Sequence, residues 1–190
     1  TNFDCPYYEQ LNYAGDTRIQ SLIALYAAGD GALARKAITL FDNSRMPSGL
    51  TQSRYPTYLK QVIPPFSLYW VDMLHDWWML RGDEDFIGSM LPGVRGVIGW
   101  FASRMAPSGM IGELRWWNFV DWADEYGSGV SPGADEGENA VINLEFVYAA
   151  QRAARLADRM GLPFEANWYS HLAESVGRAT VERCWDSTRG

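Results

Sequence analysis

Histidine and cysteine are scarce in this chain, with two of each in 190 residues. Cys5 and Cys184 stand at opposite ends, so one disulfide could join them, but the count excludes a disulfide-built scaffold. No Cys/His spacing suits zinc. His75 and His171 lie inside helical patterns and read as structural, which leaves Ser/His/Asp chemistry little to build on. Basic residues are outnumbered, 16 Lys and Arg against 23 Asp and Glu, for a net charge of −7. Without a dense basic patch the chain is poorly suited to nucleic acid or to an anionic membrane surface. There is no apolar run of membrane length and no secretory signal pattern. Phosphate-cradling Gly-x-x-x-x-Gly-Lys is missing, as is Gly-x-Gly-x-x-Gly after a strand. Nothing indicates a compartment.

What is abundant is aromatic: nine Trp, eight Phe and ten Tyr, 14% of the chain, within a hydrophobic fraction of 47%. That composition is globular, and the length favours one domain with a sizeable core. Aromatic faces fill helix interfaces, and they also stack on the apolar faces of sugar rings.

Apolar spacing with a period of 3.6 recurs along nearly the whole chain. Ile19, Leu22, Ile23, Tyr26 and Ala27 form a first stripe, stopped by Gly29, and Ala34, Ala37, Ile38 and Phe41 a second. Phe66, Tyr69, Trp70, Met73, Leu74 and Trp77 make a strongly aromatic third. Val94, Val97, Ile98, Phe101 and Met105 predict a fourth helix with Pro92 at its first position. A fifth is expected near 138–160 and a sixth near 163–185, while 110–122 offers short strand-like patches. Short links (29–31, 81–83, 161–163) alternate with long ones (45–65, 106–137). Each short link then closes an antiparallel hairpin, and every long loop falls on the end that also carries the opening segment. Long irregular loops are commonly functional.

The fold class expected is all-α: antiparallel helical hairpins forming part of an (α/α)6 barrel, about three of six hairpins. Residues 1–190 would be a partial barrel domain, truncated at its C-terminus, where 184–190 ends turn-like with nothing closing the ring. A complete six-helix bundle is the alternative. An open arc leaves apolar flanks exposed unless it self-associates or is covered.

The densest chemistry lies in Asp4-Cys5-Pro6-Tyr7-Tyr8-Glu9-Gln10-Leu11-Asn12-Tyr13-Ala14-Gly15-Asp16, three carboxylates among aromatics in thirteen residues. Glycoside hydrolysis needs two carboxyl groups, one protonated at working pH. An apolar aromatic setting with like-charged neighbours favours the protonated form. Glu9, beside Tyr8 and Leu11 with Asp4 and Asp16 near, suits the acid; a solvated loop Glu is the competing reading. Gly15-Asp16-Thr17-Arg18 also looks like a helix N-cap, and Asp4 could cap a loop. A second cluster, Trp116 to Tyr126, interleaves indoles with carboxylates; Asp121 and Trp122 are the pair expected to face a sugar, with some of the Trp residues packing inside, since four large aromatics in seven positions cannot all face a cleft. Asp135, Glu136 and Glu138 read as favouring the positive start of the fifth helix.

The opening motif resembles the catalytic-domain signature of glycoside hydrolase family 78, the α-L-rhamnosidases, roughly Asp-Cys-Pro-x-Arg-x-Glu-Arg-x-Gly-Trp-x-Gly-Asp. Asp4-Cys5-Pro6, Glu9 and Gly15-Asp16 match, including the seven-residue step from Glu9 to Asp16. Tyr8 and Gln10 replace the two arginines, and Asn12-Tyr13 replaces Gly-Trp. The resemblance implies an (α/α)6 barrel, an inverting mechanism on terminal α-L-rhamnosides, no cofactor and no metal. By the same resemblance Glu9 is the general acid, Asp4 and Asp16 bind sugar hydroxyls, Trp122 is a stacking wall, and the general base lies beyond residue 190, so this piece alone should be inactive. Other readings kept open are another (α/α)6 carbohydrate-active enzyme and a sugar-binding or degenerate domain without turnover.

Overall fold

The computed structural model describes residues 2–188 and contains six α-helices: α1 Ala14–Ala28, α2 Ala32–Asn43, α3 Pro64–Arg81, α4 Glu84–Ala102, α5 Ala140–Arg159 and α6 Pro163–Cys184. Among the described residues extended pairing is limited to isolated bridges, Tyr13 with Arg54, Met105 with Ile111 and Phe119 with Val130. The helix ends follow local chemistry. Gly29 and Gly82 close α1 and α3 in the left-handed region, at φ 64° and 65°, each amide bonding back into the last turn. Pro64 and Pro65 open α3 and Pro163 opens α6, where a missing amide hydrogen costs nothing. Asp83 caps α4 by accepting from the Phe86 amide, and Asn139 caps α5 by accepting from Ile142.

The hairpins α1–α2, α3–α4 and α5–α6 form an arc of two rows. α1 packs on α3 and α3 on α5, while α2, α4 and α6 back this inner row. α3 is buried over most of its circumference, with Trp70, Val71 and Leu74 fully enclosed, as its aromatic run demands. The long connections gather at one end. The opening segment bonds to the α2–α3 loop through Ala14 N–H to Ser53 O (2.9 Å) and Asn12 Nδ2 to Tyr55 O (2.9 Å). The α4–α5 loop reaches the start of α3, where Phe119 and Phe66 meet edge to face at 5.8 Å.

Several expectations need correction. α4 begins at Glu84, so Pro92 lies inside it; the Asp83 cap starts the helix two turns earlier. α1 does not bury its apolar stripe. Ile19 and Ile23 are each 62% exposed, and the buried residues are Ala14, Thr17 and Ser21. Small side chains let α1 lie close to α3, with Gly15 against the Phe66 ring, and the larger face is left at the open flank of the arc. Phe164, Trp168, Val181 and Trp185 form a similar exposed apolar set on the α6 side. Asp16 is not the cap of α1: Tyr13 holds that position in extended geometry, and Asp16 lies in the first turn. At α5 the cap is Asn139, and no acidic residue occupies the first turn; Asp135 accepts from Asn118 and Glu138 pairs with Arg183. Cys5 and Cys184 are free thiols. The expected turn-like ending is seen at Ser187 and Thr188, and Arg189 and Gly190 lie outside the described residues.

Candidate active site

The long-loop end holds a cavity of about 360 Å³, near the lower end of the roughly 300–1,000 Å³ typical of small-molecule sites. Its wall comes from three places. The opening segment and α1 bring Asp4, Glu9, Tyr13, Gly15, Asp16, Arg18 and Ile19; α3 and its approach bring Ile63, Phe66 and Tyr69; the α4–α5 loop brings Trp117, Phe119, Val120, Asp121 and Trp122. The five residues expected to form a sugar site, Asp4, Glu9, Asp16, Asp121 and Trp122, therefore all line it. Tyr55 and Tyr58, in the α2–α3 loop at the same end, are not part of its lining.

The local backbone explains these positions. Asp4 Oδ1 accepts from the Leu11 amide at 2.9 Å, closing the opening segment into a loop, while Oδ2 is buried without a hydrogen-bond partner. Cys5 Sγ accepts from the amides of Tyr8 and Glu9, both at 3.3 Å, and so fixes the turn that carries Glu9. The α4–α5 loop is pinned by Val120 N–H to Gly129 O at 2.8 Å. Gly129, at φ 72°, lies so close that a Cβ there would sit 2.2 Å from the Phe119 ring, so only glycine lets Phe119 form the wall. Trp122 packs on Phe119 and Trp117 at 5.1 and 6.4 Å between centroids, yet is 68% exposed. Trp116, by contrast, stacks on Trp100 in the core at 5.8 Å.

Glu9 is exposed, and Tyr8 is 86% exposed, so the apolar shielding expected around Glu9 is not provided by its neighbours in sequence. The turn leaves both side chains open to solvent. Its closest company is Asp4 and Cys5: one donor atom from each of the three lies within 4.8 Å of the others. Among the described residues this is the set that could hold a metal ion. It is a mixed thiol and carboxylate set, one ligand short of a structural zinc site. Asp16 is held above the ordinary carboxylate range chiefly by burial, with Asp4 and Asp121 adding like-charge repulsion against the pull of its own backbone amide.

Sequence reasoning missed the floor. Arg18 donates from Nη1 to Asp72 (3.0 Å) and from Nε to Asp76 (2.9 Å), and Arg152 of α5 reaches the same two carboxylates from the other side. Burial still lifts Asp72 to about 7, outweighing both arginines. His75 is buried nearby and is pushed down to about 4 by burial and then by Arg152. Tyr69 donates to Glu145 Oε1 at 2.5 Å, and burial raises Glu145 to about 7. Tyr69, Asp72 and Asp76 succeed one another at about one helical turn on α3, and only Tyr69 belongs to the apolar stripe legible in the sequence; their partners come from α1 and α5, which sequence spacing does not pair. Gly129-Val130-Ser131-Pro132-Gly133 has the spacing of a nucleophile elbow, but Ser131 is buried and its hydroxyl is engaged with Asn139.

Comparison with known proteins supplies the context. The model of the bacterial α-L-rhamnosidase six-hairpin glycosidase domain matches residues 1–190. Among solved structures, a family 78 rhamnosidase of Bacillus sp. GL1 superposes with a TM-score of 0.87 at 25% identity, over 98% of this chain and 19% of that one. A rhamnosidase from Klebsiella oxytoca with rhamnose bound gives 0.81 at 24% identity, covering 98% and 36%. The Streptomyces avermitilis α-L-rhamnosidase complexed with L-rhamnose gives 0.72 at 17%, covering 94% and 16%. The chain thus spans about a fifth to a third of the length of the first two. Curated protein sequences give no match.

Proposed function

This chain belongs to the bacterial α-L-rhamnosidase six-hairpin glycosidase domain family, and from that premise we propose that it is the acid-bearing part of an inverting α-L-rhamnosidase. The observation that carries the reading is the convergence of Asp4, Glu9, Asp16, Asp121 and Trp122 on one cavity. In this reading a terminal rhamnosyl residue stacks against Trp122. Asp4, Asp16 and Asp121 accept from its hydroxyls, and Glu9 donates a proton to the departing glycosidic oxygen. The substrate itself supplies the missing shielding: a sugar seated against Phe119 and Trp122 covers Glu9, and a covered carboxyl favours its protonated form. The water that attacks the opposite face needs a second carboxylate roughly 6.5–9.5 Å from the acid. We assign that base to the remaining hairpins of the barrel, with these residues acting as one half of the ring and the exposed flank of α1 as a surface for that partner or for a second copy.

The test is turnover of an aryl α-L-rhamnoside by the intact protein and its Glu9→Gln variant, with the first-formed anomer followed by NMR. The expected results are release of the inverted sugar by the wild type and a loss on the order of 10²–10⁴-fold in the variant. Retention of configuration, or an unimpaired variant, overturns the assignment. The exposure of Glu9 favours one competing reading, a sugar-binding domain without turnover. Binding of L-rhamnose by the wild type with no release of aglycone would select it.

A further inference from the structure

Two tyrosines line the cavity, and the hydroxyl of one is engaged with a donor while that of the other is engaged with an acceptor. Tyr13, the residue that caps α1, accepts from Arg54 Nη1 at 2.9 Å. A guanidinium is donor-only, so the phenolic oxygen must be the acceptor and its proton is free to point elsewhere. Tyr69, on α3, donates at 2.5 Å to Glu145 Oε1 on α5. Its proton is committed, and its remaining lone pair is what it can offer. The phenols themselves are held in place: the Phe66 ring lies between them, 6.3 Å from Tyr13 and 5.4 Å from Tyr69. Arg54 also lies over the face of Tyr13, its guanidinium carbon 5.5 Å from the ring centre.

The rest of the polar lining makes this difference matter. Asp4, Glu9, Asp16 and Asp121 are carboxylates, and the guanidinium of Arg18 is engaged with Asp72 and Asp76. Trp117 donates its indole N–H to Ser128 O at 3.0 Å. The cavity therefore accepts hydrogen bonds almost everywhere and has few free donors among the described residues. A sugar hydroxyl is both donor and acceptor, so a wall of acceptors alone cannot distinguish where its oxygen must sit.

We propose that Tyr13 and Tyr69 form a specificity-determining pair for the sugar in this pocket, Tyr13 reading one hydroxyl as a donor and Tyr69 reading another as an acceptor, with Arg54 and Glu145 as the positioning residues that set the two polarities. The pair rests on the carbohydrate reading of the site given above. It does not depend on Glu9 or on turnover.

The experiment is calorimetric binding of L-rhamnose and its monodeoxy and monodeoxyfluoro analogues to the intact protein, to Tyr13→Phe and to Tyr69→Phe. Fluorine keeps an acceptor and loses the donor, which separates the two polarities. Each substitution should weaken L-rhamnose binding roughly 3- to 10-fold, the scale of one net hydrogen bond. For Tyr69→Phe the loss should vanish with one particular deoxy analogue and with the fluoro analogue at the same position. For Tyr13→Phe it should vanish with a deoxy analogue at another position, while the matching fluoro analogue retains part of the wild-type advantage. A loss spread evenly over every analogue means a structural role and overturns the pair alone. No binding of L-rhamnose by the wild type overturns both the pair and the carbohydrate reading. Thermal unfolding of each Phe variant shows that an even loss is not a folding defect.

Discussion

At the floor of the pocket Arg18 and Tyr69 are each fixed by a carboxylate from another helix, whereas at the rim Glu9 and Asp121 are held within their own loops. Arg18 of α1 ends on Asp72 and Asp76 of α3, and Arg152 of α5 meets the same pair, so three consecutive inner helices share one ion cluster. The Glu9 turn is tied by its amide to Cys5 Sγ, and Asp121 accepts from the next residue's amide at 2.7 Å. A floor built across helices carries both stability and site geometry. A rim built within loops can change its side chains at little cost to the fold, so substitutions should separate the two regions by what they damage.

The largest effect expected on stability is at the centre of the floor. Arg18→Met leaves Asp72, with a side chain only 3% exposed, facing Asp76 with Arg152 as the one remaining cation. Breaking a buried pair in this way costs about 3–5 kcal/mol, measurable by denaturant unfolding at pH 8. Because burial already raises Asp72 above the ordinary carboxylate range, the defect should shrink at pH 5, where Asp72 takes up a proton. A defect independent of pH would break the account of this cluster.

Glu145 gives the next effect, and its sign follows from burial. Its folded-state value of about 7 lies above the ordinary 4.5. The native state therefore holds a proton that the unfolded chain has released, and this contribution is complete below about 4.5 and is lost as pH rises through 7. Glu145→Gln removes that dependence. Relative to the wild type, the variant should gain stability between pH 5 and pH 8, by an amount on the order of 2 kcal/mol given about 1.4 kcal/mol per pKa unit. A wild-type and variant difference that is constant with pH contradicts it.

Rim substitutions should leave stability nearly unchanged. Trp122→Ala, at a mostly exposed side chain, is expected to weaken L-rhamnose binding roughly 3- to 10-fold, the scale of an aromatic contact, with unfolding close to wild type. Smallest of all is Tyr58→Ala. Tyr58 is 98% exposed and outside the cavity lining, so both stability and binding should stay within about 0.5 kcal/mol. A large effect there would mean that the rim extends further than the cavity does.

The same contrast explains what could be read in the sequence. Hairpin order and the clustering of long loops at one end follow from helical periodicity and from link lengths, which are local properties. The opening motif names Asp4, Glu9 and Asp16 because they lie within thirteen residues of one another. The floor is not local: Arg18 to Asp72 and Tyr69 to Glu145 span 54 and 76 residues, and each side chain taken alone looks like an ordinary helical position. The packing face of α1 is hidden from the sequence for a related reason. Its Ile19, Ile23 and Tyr26 stripe has the spacing of a core face, but the inner row packs through Thr17 and Ser21. Periodicity finds a face and cannot say what covers it.

The central claim is that Glu9 donates the proton to the leaving group, and the most direct test is a leaving-group series. Wild-type and Glu9→Gln forms of the intact protein are compared on α-L-rhamnosides whose aglycones range from alkyl alcohols to dinitrophenol. General acid catalysis predicts a loss on the order of 10²–10⁴-fold with the poor alkyl leaving groups, shrinking steeply towards dinitrophenol, which departs without a proton. An equal loss across the whole series would show that Glu9 does not protonate the leaving oxygen.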